Sequence, residues 1–499
     1  MSGRLRRLGA SLDAKLVLTV WLVYSLFATT NVARETYLSL ALAERGSIRV
    51  DEYHGLHPDL FEIPGRGWFI NNNPGTSFLG AVPYALARPF LGMLYSWMPS
   101  LIAPKPAAAY DDARPNRNKF LNASRARGLD VKLGLAALVT GVGLMAPLGA
   151  LAAWVLATYL RHRGLTSRQA TFAALLYAIG TPIFFRSAFL NQNALLAHCV
   201  LGAYVVLTGW RPRAPGALPR AAELAGVGAL LGFGLLCDYS ATPLLVAFGL
   251  WILAMHVRRG VGPMVRAGVA YTAGAVPMIL ALFAYQWAAF GSPWFPAQRY
   301  MPATTYSVIG WNGFFVPTGE LLWGNLFDPR YGLFAFCPML LAALAVPFVR
   351  RGASDPDAAA MRGIFGVSLA LYVFSSANQF ANLQWNTGVR YLVPLVPLLF
   401  VALLPVLRAA PRAVAIALIA ASVVVSVAVS MTRESVTDAL AIVFGGGPTL
   451  PVFIVLEKMA SGYPALQFGA LGPLVAFGGI ALVLFLLWRG AFSRTAEAA

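Results

Sequence analysis

A carboxylate at the end of an apolar run can do chemistry that one in open solvent cannot. Residues 31 to 54, NVARETYLSLALAERGSIRVDEYH, follow directly on such a run and supply Glu35, Glu44, Asp51 and Glu52, in a chain with only 20 Asp and Glu among 499 residues. If the run is a membrane span, Glu35 is held rigidly at the surface, where partial desolvation raises a carboxyl's proton affinity toward that of a general base. The alternative is a solvated helix-end acid paired with Arg34 or Arg45, an arrangement of little energetic worth. Asp51 and Asp59 are second catalytic candidates, suited to positioning a substrate hydroxyl or holding a divalent cation such as Mg or Mn; Asp51 beside Glu52 also reads as a solvated turn. His54 and His57 flank a turn next to Asp59, without the spacing of an established metal site. The only cofactor these residues suggest is that divalent cation.

Cations are the complementary signal. Arg390, in WNTGVRY, sits beside Trp385 and Tyr391 and offers a planar donor fork suited to phosphate. Trp, Tyr and Arg also make ordinary interfacial belts, so an anchoring role is its alternative. Arg299 and Arg330, on another outer loop, are weaker versions of the same idea. His198 stands alone in an apolar stretch after Asn191, Gln192 and Asn193; it reads as a packing residue or, because ionisable groups in a membrane face the protein interior or a cavity, as a site-lining one.

The elements that must position these groups follow from composition. With 58% hydrophobic and 12% charged residues the chain is an all-α polytopic membrane protein, since repeated apolar runs long enough for a hydrocarbon core of roughly 30 Å imply helices and not a barrel. The formal charge of +18 does not indicate nucleic acid, because Lys and Arg lie singly or in pairs at the ends of apolar runs. The clusters Arg4/Arg6/Arg7, Arg161/Arg163/Arg168, Arg211/Arg213, Arg258/Arg259, Arg350/Arg351, Arg408/Arg412 and Arg489/Arg494 fall on one side if spans run at 16–33, 133–160, 168–186, 193–210, 222–237, 239–256, 266–289, 331–349, 363–378, 391–408, 411–431 and 466–488. This predicts twelve spans, both termini cytoplasmic, the first an uncleaved anchor. Residues 76–102 are apolar enough for a further span, but counting it would put five basic clusters outside, and Arg88-Pro89 would break a spanning helix. They are expected to form an amphipathic helix on the outer surface, within one long loop from 34 to 132. Most carboxylates then fall on the outer face. Cys199, Cys237 and Cys337 have no paired spacing and are expected to be packing residues.

Several stretches of the chain resemble a family. ARETYLSLALAERGSIRVDEY and HPDLFEIPGRGWFINNNPGTSFLGAVPYAL, then LLYAIGTPIFFRSAFLNQNALLAH at 175–198, FAYQWAAFGSPW at 283–294, DPRYGLFAFCPML at 328–340 and WNTGVRYLVPLVP at 385–397, are similar in order and spacing to bacterial membrane glycosyltransferases of the GT-C superfamily. Members commonly carry Asp as the first-loop acid and a basic residue before Pro-Gly, positions held here by Glu35 and Asn73. The resemblance implies a catalytic module over 1–410, with juxtamembrane helices in its first periplasmic loop, followed by further transmembrane helices over 411–499. It also implies a hexosyl- or pentosyltransferase in the bacterial inner membrane with its active site on the extracytoplasmic face. The donor would be a polyprenyl-phosphate-linked sugar, its tail among the membrane lipids, and the acceptor an envelope glycan, lipid or protein. Glu35 would act as base and Arg390 as phosphate ligand, with inversion at the sugar. The competing class is a multi-span transporter or a flippase for lipid-linked glycans, but the chain shows no related halves and concentrates its polar chemistry at one surface.

Overall fold

The computed structural model describes residues 11–107, 115–214, 216–348, 356–386, 388–459, 469 and 471–493. Arg4, Arg6, Arg7, Arg350, Arg351 and Arg494 of the basic clusters lie outside the described residues. Apolar sequence with little charge becomes helix because only a helix satisfies its own backbone in lipid. Among the described residues, seven helices are long and apolar enough to cross a membrane: Gly75–Trp97, Asp130–His162, Ala241–Arg259, Val261–Phe290, Ala360–Ala377, Arg412–Thr432 and Leu471–Arg489. Gln192–Thr208, Ala221–Cys237, Val393–Ala409 and Val436–Gly446 are apolar but shorter.

Several expected spans differ from the helices found. The stretch 16–33 is a helix only over Leu12–Leu26. The stretch 168–186 divides into Ser167–Ile179 and a single turn, Ile183–Arg186. Gly180 and Pro182 interrupt it, and the Thr181 hydroxyl caps the break by donating to the Tyr177 carbonyl (2.6 Å). The stretch 331–349 is a short helix, Leu333–Phe336, followed by tight turns over Pro338–Phe348. Helix Gly75–Trp97 runs without a break through Pro83 and Pro89, as expected of a surface helix, but Arg88-Pro89 does not by itself exclude a span, since each proline forgoes one backbone bond while its neighbours keep theirs.

The basic ends at Arg161, Arg163 and Arg259 gather at one end of the bundle. Arg161 pairs with Asp13 (2.6 Å), Arg163 donates to the Thr208 carbonyl (2.9 Å), and Arg259 donates to the Gly216 carbonyl (2.8 Å). These are the orphan carbonyls and loop groups that cations near helix C-termini satisfy. Gln192–Thr208, 17 residues long, therefore has its last turn at the basic end and its first turn at the opposite one.

At that opposite end sits a polar subdomain. Helix Arg34–Arg45 leads to a two-stranded antiparallel hairpin, Leu60–Ile63 with Gly67–Ile70, in the register Leu60↔Ile70. Gly67 needs to be glycine twice over: its φ is +110°, and a Cβ there would lie 2.5 Å from the Arg49 side chain. Tyr37, Leu38, Tyr53, Phe61 and Phe69 pack together with Tyr285 and Phe290 from the end of Val261–Phe290. Helix Gly75–Trp97 lies against Arg34–Arg45 at Gly80, where the missing side chain admits Ser39 and Leu190. Its other face exposes Phe78, Val82, Leu86, Phe90, Met93 and Trp97, a single apolar stripe at helical spacing. Further along, Tyr84 donates to Glu44 (2.7 Å) and Arg88 to the Ala43 carbonyl (3.2 Å), while Arg127 reaches the carbonyls of Glu52 and His54. The helix and the segments after it thus stay with the subdomain that precedes it. The three cysteines are buried and free.

Candidate active site

Arg34 and Glu35 open helix Arg34–Arg45, where the chain leaves Leu12–Leu26 and turns. Glu35 is 1% exposed. Its Oε1 accepts from Asn72 Nδ2 (2.7 Å) and from Arg34 Nε (3.2 Å). The Gln192 amide, oriented by its neighbours, donates to the same Oε1 (3.1 Å) and accepts from Arg34 Nη2 (3.0 Å). None of these bonds ends on Oε2. Glu35 is therefore clamped through one oxygen and has the other left for a proton.

Asp59, at the entry to the hairpin, lies on the far side of Arg34. Its Oδ2 accepts from Arg34 Nη1, and its Oδ1 from Asn71 Nδ2 (2.8 Å). The Asp59 amide donates to His57 Nδ1 (3.1 Å), and the His57 ring stacks on Phe120. Burial works against the charge on Arg34, yet Asp59 and Glu35 together raise its pKa above the ordinary guanidinium value. Burial likewise works against the Asp59 carboxylate, but Arg34, His57 and Arg390 hold its pKa below the usual range. His57 is lowered, chiefly by burial, with Asp59 opposing. The three consecutive asparagines divide the work: Asn71 holds Asp59, Asn72 holds Glu35, and Asn73 donates to the Leu235 carbonyl (2.6 Å), fastening the loop to Ala221–Cys237.

Arg390 and Arg186 lie within Coulombic reach of this pair, and Arg433 lies beside Arg186. Arg390 influences Asp59, and Arg186 lies within Coulombic reach of Arg433, Arg390 and Glu35. Arg186 is only 2% exposed. Arg433 donates to the Phe185 carbonyl (3.0 Å) and stacks on Phe189, which Arg186 also covers. Arg390 stacks on Tyr391 at 4.8 Å, and its buried Nε has no hydrogen-bond partner. Like charges crowded in a poorly solvated place are costly, and Glu35 offsets part of that cost at Arg186. A phosphate is an anion whose oxygens suit guanidinium donors.

The remaining sequence candidates lie elsewhere. Asp51 pairs with Arg49 (2.8 Å) and accepts from the Trp68 amide (2.8 Å), tying the hairpin to the preceding turn. His54 is exposed, its Nδ1 on the Asp51 carbonyl (2.8 Å) and its ring beside Trp68. Arg299 is exposed, and Arg330 is exposed and saturated by Asp328 (2.7 Å). His198 lies within Gln192–Thr208, both ring nitrogens buried without partners. Sequence reasoning did not single out Asn71, Asn72, Gln192, Arg186 or Arg433 for the site. A signal was present for Gln192, in the polar run Asn191 to Asn193 at the head of an apolar helix. No group of three or more His, Cys, Asp or Glu among the described residues is arranged to hold a metal ion.

No family model matches the chain, and no curated protein matches it in sequence. Two solved structures are similar to it. The crystal structure of ArnT from Cupriavidus metallidurans bound to undecaprenyl phosphate shares 17% identity at a TM-score of 0.48, over 95% of this chain and 75% of that one. The same protein in the apo state gives 16% identity and a TM-score of 0.47 over the same shares.

Proposed function

We propose that this protein is a membrane glycosyltransferase of the GT-C kind. In this reading it moves a sugar from a polyprenyl-phosphate donor to an acceptor hydroxyl outside the cytoplasm, with inversion. The observation that carries the reading is a buried carboxylate with one unpartnered oxygen, within Coulombic reach of the buried Arg186 and its half-buried neighbours Arg390 and Arg433. The family resemblance of the sequence supports it independently.

Glu35 Oε2 takes the proton of the acceptor hydroxyl as that oxygen attacks the anomeric carbon. The carbon–oxygen bond to the lipid phosphate breaks on the opposite face, and the electron pair leaves with the phosphate. Arg390, Arg186 and Arg433 hold the phosphate and stabilise the charge it gains. Asp59, with both oxygens engaged, steadies Arg34 and so the orientation of Glu35; Asp51 serves the hairpin.

The same reading retains twelve crossings, cytoplasmic termini and a bacterial inner-membrane location. It places 34–132 outside, with Gly75–Trp97 lying in the membrane surface. What supports this is the apolar stripe on that helix, together with the contacts that keep the segments before and after it in one subdomain. Single cysteines at Ser47 and Ser167 are expected to label from the outer and the inner face respectively; labelling of both from one face would overturn the topology. The reaction is tested in detergent with a radiolabelled polyprenyl-phosphate sugar and a lipid extract as acceptor source. Transfer is expected with the wild type, and its persistence in Glu35→Gln would remove Glu35 from the mechanism.

A further inference from the structure

Two carboxylates drawn into one poorly solvated place repel each other, and the protein must meet that cost with a proton or a cation. At Glu35 and Asp59 the cation is already covalently part of the chain. Arg34 uses all three nitrogens there: Nε on Glu35 Oε1 (3.2 Å), Nη1 on Asp59 Oδ2, and Nη2 on Gln192 Oε1 (3.0 Å). We propose that the Arg34 guanidinium is the resident cation of the Glu35–Asp59 pair, standing where a divalent ion would have to stand, so that this centre takes no divalent metal.

The surrounding groups fit a guanidinium and not a metal. Mg and Ca need a shell of oxygen ligands. Here Asn72 and Asn71 turn their NH₂ groups, not their carbonyls, toward the two carboxylates (2.7 and 2.8 Å). His57 Nδ1, the nearest imidazole nitrogen, already accepts from the Asp59 amide (3.1 Å). Donors and an occupied lone pair surround carboxylates that already share a cation. A guanidinium also keeps its proton at every ordinary pH, so the pair stays charged without depending on metal supply. Arg34 is a positioning residue in this account: it fixes Glu35 through Oε1 and leaves Oε2 to the acceptor.

The inference concerns the same site as the glycosyltransferase reading, but it is decided by binding, so the two can fail separately. Mn²⁺ is titrated into purified full-length protein in detergent and followed by electron paramagnetic resonance. The wild type and Arg34→Lys are expected to take up no more Mn²⁺ than Glu35→Gln. Arg34→Ala, which exposes the two carboxylates to each other, is expected to take up roughly one Mn²⁺ per chain, and the double variant Arg34→Ala/Asp59→Asn to lose that uptake. Wild-type uptake that disappears in Glu35→Gln or Asp59→Asn would overturn the proposal, as would Arg34→Ala that takes up none. If Arg34→Ala does not fold, the wild-type titration decides alone. Where turnover is measurable, EDTA is expected to leave it unchanged, and loss reversed by Mn²⁺ overturns the proposal; absence of turnover would count against the glycosyltransferase reading and leave the Mn²⁺ result standing.

Discussion

Helix Arg34–Arg45 carries a buried or half-buried glutamate near each end, and the two are treated in opposite ways. Glu44 has a donor on each oxygen, Tyr84 on Oε1 (2.7 Å) and Lys132 on Oε2 (2.9 Å). Glu35 has its donors gathered on Oε1 and none on Oε2. The first pattern is that of a brace between helices; the second is that of a group fixed in place with one atom still to use. Arginines divide in the same way. Arg330 is exposed and saturated by Asp328, whereas Arg390 is half-buried with an unpartnered Nε among other cations. Residue type does not separate the two members of either pair, but the distribution of partners does.

The comparison breaks most decisively at the two glutamates. Glu35→Gln is expected to lower turnover by roughly two to four orders of magnitude while donor binding persists, the usual reach of a general base. Glu44→Gln should keep turnover near the wild-type value and lose about 1–3 kcal/mol of stability, because the lysine is left partly uncompensated. Thermal unfolding in detergent beside the transfer assay reads both, and equal loss of turnover in the two variants would erase the distinction.

Next come the arginines. Arg390→Ala is expected to weaken donor binding about tenfold to a hundredfold and to lower turnover with it, since a charge-assisted contact of about 1.5–3 kcal/mol is made already in the ground state. Arg330→Ala should bind donor as the wild type does. Unchanged donor affinity in Arg390→Ala would return that residue to the role of an interfacial anchor.

The smallest effect is in the pH dependence of stability. Burial lowers the pKa of His57, so below pH 6.5 the unfolded chain binds a proton that the folded one resists. Stability from this group is complete above that pH and is lost as pH falls toward the depressed folded value. Asp59, lowered by Arg34, adds a second loss at lower pH, below the ordinary carboxylate range. Unfolding temperatures measured between pH 7 and 5 should fall in the wild type and fall less in His57→Asn. Parallel slopes would show that His57 is not buried in its neutral form.

The sequence by itself determined the class of the protein, a helical membrane protein, and it singled out Glu35 and Arg390 as residue types suited to a base and a phosphate ligand. Those conclusions rest on hydropathy, charge placement and local motifs, all of which act over a few residues or one helix length. It misjudged where helices stop at Gly180-Pro182 and at Pro338, because the cost of a break depends on which neighbours satisfy the freed backbone groups. Tertiary structure alone decided that Asn72 and Gln192 meet on one oxygen of Glu35, that Asp59 and not Asp51 shares Arg34 with it, and that Arg186 and Arg433 join Arg390. Asn72 is 37 residues from Glu35, and Arg433 reaches a carbonyl 248 residues away. Contacts at such separations are set by how the helices pack, and an isolated Asn, Gln or Arg carries no local mark of the partner it will find.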